Sequence, residues 1–166
     1  MITLSAAAPE DLQDARGLLA ANALPTEDIV LHFGHFIIAR SAGALVGVVG
    51  MECYGSSALL RSLCVAEEAR GQGLGRGLCD EVETRAGVMA VRDLYLLTTT
   101  AQRFFEGRGF AVIDRELAPE VIRATAEFQS LCPSTAVCMH KQLFSRTWIG
   151  PAAMAESAGA SSAAPA

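Results

Sequence analysis

The fold of this chain is decided by one stretch, Val65-Ala66-Glu67-Glu68-Ala69-Arg70-Gly71-Gln72-Gly73-Leu74-Gly75-Arg76-Gly77-Leu78. An apolar run ends at Val65, and a glycine-rich loop then leads into an amphipathic segment. The glycines let the backbone approach a ligand closely, and amides at a helix N-terminus can donate hydrogen bonds to a phosphate. Arg70 and Arg76 add positive charge on either side. The stretch therefore predicts a strand, a phosphate or pyrophosphate site and a helix, in that order.

Apolar periodicity predicts further strands and helices around this loop. The positions Leu74, Leu78, Val82 and Ala86 repeat at helical spacing, so the helix after the loop should lie on a sheet. Residues 40–43 read as a hairpin-like turn between two strands. The predicted strands are 2–6, 35–39, 44–52, 58–65, 94–99, 111–114 and 136–141, and the other predicted helices are 9–21, 25–32, 101–108 and 119–128.

Composition restricts the class of protein. The chain has 166 residues, of which 51% are apolar, and this is enough for one compact core. A net charge of −5 with scattered basic residues argues against nucleic-acid binding, and no apolar run approaches the roughly 20 residues that span a bilayer. We therefore expect one cytoplasmic domain over residues 1–147 that acts on a small molecule and does not bind a membrane. Residues 148–166 are rich in Ala, Ser, Gly and Pro, and we expect them to be disordered.

The five cysteines form no Cys-x-x-Cys pair and lie mostly in apolar surroundings. Free buried thiols are the expected state, and no metal site is predicted. Cys132 and Cys138 are the closest pair in sequence, and a site for trivalent arsenic at this pair is the alternative that the sequence leaves open.

The loop fits the pattern Arg/Gln-x-x-Gly-x-Gly/Ala and resembles the acetyl-CoA motif of the GCN5-related N-acetyltransferase (GNAT) superfamily. A second segment, Leu94 to Phe110, reads as a strand, a short helix and Gly-Phe. Thr98 and Phe105 stand where many members carry Asn and a Tyr that protonates the leaving thiolate, and in this the segment resembles the acetyltransferase domain of N-acetylglutamate synthases. Residues 59–63, 122–133 and 136–139 look like those of N-acetyltransferases encoded in arsenic-resistance operons.

The resemblance implies the fold, the cosubstrate and the reaction. The fold would be a mixed α/β (α+β) domain with a central, mostly antiparallel twisted sheet of about six to seven strands flanked by helices. A neutral amine would attack the thioester of acetyl-CoA directly, in a ternary complex and without an acyl-enzyme. One strand amide would face the thioester oxygen, and the family often forms homodimers. The residues implied to bind acetyl-CoA are Leu63, Cys64, Val65, Arg70, Gly71, Gln72, Gly73, Leu74, Gly75, Arg76 and Phe105.

Arg61 is the predicted element of substrate recognition. It alternates with Leu63 along the predicted strand, so the two side chains should share a face. A guanidinium beside the acetyl group suits a carboxylate, phosphinate or arsonate, held by a forked pair of hydrogen bonds. The resemblance to the acetyltransferases of arsenic-resistance operons implies a small anionic amino compound of the arsinothricin or phosphinothricin type as the leading substrate, and with it a role in arsenic resistance; glutamate is the main alternative, and protein amines come third. Arg123 and Glu127 are further candidates for substrate binding, although they could pair with each other at i,i+4.

The proton-transfer groups are less clearly marked. Glu52, at the end of the third strand, is the first candidate for general base, and Glu127 is its rival. His32 and His35 are expected to be structural, one on a helix and one at a strand start. Because Phe105 has no hydroxyl, the thiolate would take its proton from Thr98, Thr99 or water. The lack of the usual acid also leaves open a non-catalytic sensor of acetyl-CoA.

Overall fold

The computed structural model describes residues 1–143, which form a seven-stranded sheet with helices on both faces. The strand order is β1-β2-β3-β4-β5-β7-β6, and β4–β5 is the parallel pair while the other neighbours are antiparallel. This confirms the predicted mixed, mostly antiparallel sheet. The strands are β1 (Ile2–Ala6), β2 (Ile37–Ser41), β3 (Ala44–Tyr54), β4 (Ser57–Val65), β5 (Asp93–Thr98), β6 (Ala111–Ile113) and β7 (Val137–Gln142).

Five helices cover the two faces of the sheet. The long helix α3 packs its apolar stripe, including Leu78 and Val82, on Met51 and Leu60 of the sheet. The opposite face is covered by α1, α2 and α5. There the ring of Phe36 lies so close to β3 that a Cβ at Gly50 would come within 2.2 Å of it, which requires glycine at that position. The helices are α1 (Leu12–Ala21), α2 (Ile29–His32), α3 (Leu74–Val88), α4 (Gln102–Glu106) and α5 (Glu120–Arg123).

Three predicted elements were wrong in their extent. β2 begins at Ile37 rather than at His35, which ends a 3₁₀ turn over Phe33–His35. The hairpin turn consists of Ala42 and Gly43 alone, because both adopt positive φ and allow strand pairing to continue to the turn. The helix predicted over 119–128 is the four-residue α5 followed by a π-helical turn, Glu127–Leu131.

A β-bulge in β4 changes which side chains share a face. Val48 pairs with Cys64 and Gly50 with Arg61, so β4 has one extra residue at this point, and Ser62 has a φ of +58°. Leu63 consequently packs on the α3 side, whereas Leu59 and Cys64 pack on the opposite side. Arg61 turns to this second side, towards Asp28 and Glu127. The prediction that Arg61 and Leu63 share a face was therefore wrong, since a bulge breaks the two-residue alternation.

The parallel strands β4 and β5 pair over only three residues each. The register ends at Leu59↔Tyr95, while β5 continues to pair with β7 as far as Thr98. Beyond Leu59, β4 therefore has no strand partner on the β5 side, and a cavity opens there. Among residues 1–143 no helix has the length and apolar character needed to cross a bilayer. The predicted tail at 148–166, with the domain end at 147, lies outside the described residues.

Candidate active site

The gap between β4 and β5 opens into a cavity of about 450 Å³. The bulge residue Ser62 and its neighbour Leu63 line one wall, and the end of β5 lines the other. Main-chain amides of β4 in the gap are therefore available to a ligand. Two loops complete the walls on the side away from α3: residues 23–27, between α1 and α2, and residues 131–136, before β7. The lining residues are Ala23, Leu24, Pro25, Glu27, Leu60, Arg61, Ser62, Leu63, Leu96, Leu97, Thr98, Thr99, Thr100, Ala101, Phe105, Leu131, Cys132, Pro133 and Ala136.

The glycine loop, residues 70–76, lines a second cavity of about 560 Å³ at the start of α3. Gly73 precedes the first helical residue with a φ of +79°, and Gly71 has a φ of +76°. These left-handed conformations turn the chain so that amides at the start of a fifteen-residue helix face outward. The lining residues are Val65, Ala69, Arg70, Gly71, Gly73, Leu74, Gly75, Arg76 and Phe104.

The two arginines of the glycine loop differ in their contacts. Arg70 donates to the Val65 carbonyl at 3.0 Å and to the Asn22 side chain at 2.6 Å, so its position is fixed by the end of α1. Arg76 makes no hydrogen bond or ion pair with any residue in the described part of the chain. Its guanidinium is therefore available to an anion bound at the loop.

Arg61 is the centre of a buried charged group, called here the Arg61 cluster (Asp28, Glu52, Arg61 and Glu127). Its guanidinium makes two hydrogen bonds to the Asp28 carboxylate, at 2.6 and 2.7 Å, and one to Glu52 Oε1 at 2.7 Å. Its Nε lies 3.2 Å from the Ser62 hydroxyl oxygen and 3.4 Å from Glu127 Oε1. The Arg61 side chain is 0% exposed. The forked pair of hydrogen bonds that Arg61 was expected to make with a substrate anion is thus made with Asp28 instead.

The carboxylates of the Arg61 cluster differ in how well they are compensated. Besides Arg61, Glu52 receives the Tyr54 hydroxyl at 3.1 Å and lies 3.0 Å from His32 Nε2. Hydrogen bonds and attraction from Arg61 outweigh burial and lower the pKa of Asp28. Burial, reinforced by repulsion from Glu52 and Asp28, raises the pKa of Glu127 to about 7 against the pull of Arg61. Glu127 is therefore the carboxyl that changes protonation near neutral pH.

The Arg61 cluster also determines whether a metal fits here. Asp28, His32 and Glu52 each offer one ligand atom within 4.8 Å of the others. Yet Asp28 and Glu52 already hold the guanidinium of Arg61, a fixed cation at hydrogen-bonding distance. A second cation would face its charge at close range, so the arrangement is that of an ion-pair network.

The end of β5 supplies polar groups to the cavity between β4 and β5. The Thr98 hydroxyl accepts a hydrogen bond from the Ala101 amide at 3.0 Å, which fixes its orientation at the start of α4. Thr99 is exposed at the cavity wall. Phe105 is buried and lines the same cavity, with its ring edge-to-face against Phe104 and Phe110. Phe104 in turn lines the glycine-loop cavity, so the two cavities share the α4 wall.

Five residues predicted for the site line neither cavity: Glu52 and Glu127 of the Arg61 cluster, and Cys64, Gln72 and Arg123. Cys64 is buried on the α1 side, with its thiol towards the Leu18 carbonyl. Gln72 is exposed beside the loop. Arg123 donates to the Ala118 carbonyl at 3.0 Å and does not pair with Glu127, because α5 ends at Arg123 and the helical spacing is interrupted. All five cysteines are free; Cys132 lines the cavity, whereas Cys138 is buried in β7.

The sequence did not reveal Asp28 or the two loops that wall the cavity. Asp28 is far from Arg61 in the chain, and nothing in its neighbourhood marks it as an ion-pair partner. A buried guanidinium needs carboxylate partners, so Asp28 could have been sought only once the burial of Arg61 was known.

Comparison with known proteins identifies the family. Residues 32–112 match the acetyltransferase (GNAT) domain model. The chain is 30% identical over 113 residues to an uncharacterized N-acetyltransferase of Chlorobaculum tepidum, covering 68% of this chain and 70% of that protein. It is 30% identical over 95 residues to the amino-acid acetyltransferase of Aeromonas salmonicida, covering 56% of this chain but only 22% of that longer protein. The chain therefore belongs to the GNAT family of acetyl-CoA-dependent N-acetyltransferases.

A solved structure shows the same fold. N-acetylglutamate synthase from Neisseria gonorrhoeae, complexed with coenzyme A and N-acetyl-glutamate, superimposes with a TM-score of 0.75 at 19% identity. The match covers 87% of this chain and 35% of the synthase. The resemblance to the superfamily is confirmed, and the synthase shares the fold of this chain. The resemblance to the N-acetyltransferases of arsenic-resistance operons stays a prediction.

Proposed function

We propose that this protein transfers the acetyl group of acetyl-CoA to the amino group of a small amino acid or amino-acid-like compound. The observation that carries the proposal is the pair of cavities that share the α4 wall, one at the glycine loop and one between β4 and β5. The loop amides and Arg76 suit the pyrophosphate of the cosubstrate. The amino-acid acetyltransferase relatives support an amino acid as the acceptor.

In this proposal the thioester lies in the gap beyond Leu59. Amides of β4 that lack a partner on the β5 side donate to the pantetheine arm and polarise the thioester carbonyl. The amine enters between residues 23–27 and 131–136, which bring it towards the carbonyl carbon. Attack gives a tetrahedral intermediate, and its collapse releases the coenzyme A thiolate, which Thr98 is placed to protonate.

The finer proposal concerns the charge of the acceptor. The sequence favoured an anionic acceptor of the arsinothricin or phosphinothricin type, with a role in arsenic resistance. In that prediction the guanidinium of Arg61 is free to bind the anion of the acceptor. The geometry gives this less support, because Asp28 engages both terminal nitrogens of the guanidinium. We therefore propose the wider class of small amino acids and keep anionic members, including glutamate, as competitors within it.

The test is thiol release from acetyl-CoA with a panel of acceptors. Matched pairs, glutamate with glutamine and phosphinothricin with methionine, separate the effect of side-chain charge from that of size, and a polyamine and a lysine peptide complete the panel. We expect turnover with at least one amino acid and little with the polyamine or peptide. Coenzyme A binding without turnover of any amine would favour the non-catalytic sensor, and turnover of the peptide alone would assign the protein amines.

A further inference from the structure

Glu127 is a buried carboxyl that does not line the glycine-loop cavity. It lies on the π-helical turn that leads directly into the cavity wall at Leu131 and Cys132. Its Oε1 is 3.4 Å from Arg61 Nε, and the Cys132 main-chain amide donates to the Glu127 main-chain carbonyl at 3.0 Å. Both neighbours line the cavity. Glu127 is thus one side chain away from the space proposed for the amine, on the side of the acceptor loops.

We propose that Glu127 is the general base of this enzyme, accepting the proton that the acceptor ammonium must lose before it attacks the thioester. The proposal rests on the proposed function and adds to it the group that makes the amine nucleophilic. It replaces the candidate of the sequence, Glu52, with a carboxylate from a different element of the fold.

The contacts of the two glutamates separate their roles. Glu52 has three partners, Arg61, His32 and Tyr54, and it lines neither cavity. The oxygens of Glu52 are engaged by these donors, so they are less available to a substrate than those of Glu127. Glu127 has the longest contact to Arg61 in the cluster. Its negative charge is the least compensated, so gaining a proton costs it the least.

The groups around Glu127 account for its titration. Burial opposes the charged form of Glu127, and so do the carboxylates of Glu52 on β3 and Asp28 before α2. Arg61 on β4 favours the charged form. Together they raise the pKa of Glu127 to about 7. Cys132 on its own turn is a thiol whose pKa is raised to about 11, so it remains a neutral donor. A base is most effective when its pKa lies near the working pH, and Glu127 meets that condition at neutral pH.

The proton balance of the reaction is complete with this group. The Glu127 carboxylate takes one proton from the ammonium through a water molecule, and the freed lone pair forms the C–N bond. The C–S bond then breaks with its electron pair on sulfur. Thr98 protonates the thiolate, and the excess proton that remains on the nitrogen replaces the proton that Thr98 has given up. Glu127 then returns its own proton to solvent. Amide, thiol and one released proton are the products.

The experiment measures kcat and kcat/KM from pH 5.5 to 9 for the wild-type enzyme, Glu127→Gln and the matched control Glu52→Gln. The acceptor is the best amino acid of the panel. For the wild type we expect kcat/KM to rise with pH and to level off above about pH 7, because Glu127 ionises there. This rise is the acid limb of the profile. The profile of Glu127→Gln should lack that limb, and its kcat should be lower by about 10²-fold or more. Its affinity for acetyl-CoA should be retained. Glu52→Gln should keep the limb.

Hydroxylamine as the acceptor provides a rescue, because its nitrogen is already uncharged at neutral pH and needs no base. The ratio of wild-type to Glu127→Gln rates should be much smaller with hydroxylamine than with the amino acid. If Glu127→Gln no longer binds acetyl-CoA, Glu127→Asp takes its place and should keep the limb with a lower kcat. An unchanged limb in Glu127→Gln, an equal loss with hydroxylamine, or loss of the limb in Glu52→Gln alone overturns the assignment. Absence of wild-type turnover with every acceptor overturns the proposed function as well.

Discussion

The glycine loop and the Arg61 cluster are built in opposite ways. The glycine loop is one continuous segment, and its chemistry resides in backbone amides and two glycine conformations. The Arg61 cluster joins side chains from four separate segments, and its chemistry resides in one cation shared by three carboxylates. The region proposed to hold the cosubstrate is therefore local in sequence, whereas the region proposed to face the acceptor depends on the tertiary fold.

The largest effect should come from removing the shared cation. In Arg61→Met the three carboxylates lose their partner while buried, and we expect a loss of about 3–5 kcal/mol in the free energy of unfolding. The pKa values of these carboxyls would then be higher in the folded variant than in its unfolded chain. The stability of the variant should therefore be retained at low pH, and it should be lost as the pH rises through the pKa values of the folded state. Chemical denaturation at pH 5 and pH 8 checks both the size and the direction.

Arg85→Met is the matched control. Arg85 pairs with Glu81 at 3.0 Å on α3, where both side chains are about a third exposed. Such a surface pair contributes about 0.5 kcal/mol, and its removal should depend little on pH. Equal losses in the two variants would show that the Arg61 cluster is no more important to the fold than a surface pair.

The same contrast explains what the sequence could predict. The strand before the glycine loop, the loop itself and α3 follow from short-range patterns, and the structure has all three. The bulge at Ser62 carries no glycine or proline to mark it, and it reverses the faces of Arg61 and Leu63. Asp28 and Glu127 reach Arg61 across long stretches of chain. Periodicity cannot predict such contacts, because they depend on how separate segments pack on one sheet.

A smaller effect is expected at the glycine loop. Gly73→Ala places a Cβ in open space, with no heavy atom within 4 Å, so its cost comes from the backbone φ of +79°. That conformation costs an L-residue about 1–2 kcal/mol, and relaxing it would redirect the loop amides. We expect coenzyme A affinity to fall about tenfold, as measured by calorimetry. Gly17→Ala in α1, also with open space around its Cβ, should leave the affinity unchanged. Equal affinities in the two variants would contradict a role for the loop backbone in binding.

The smallest change in stability is expected at Thr98, at the end of β5. The Thr98 hydroxyl accepts the Ala101 amide, and this leaves its own proton free to donate into the cavity. Thr98→Val leaves that amide without its acceptor, so we expect a loss of about 1 kcal/mol in stability. If the oriented hydroxyl also protonates the thiolate, kcat should fall well beyond the change that stability explains. Thr99→Val is the control, since Thr99 is exposed at the same wall without that hydrogen bond, and it should change neither quantity. A larger loss of kcat in Thr99→Val would transfer the role to Thr99, and an unchanged kcat in both variants would leave water as the proton donor.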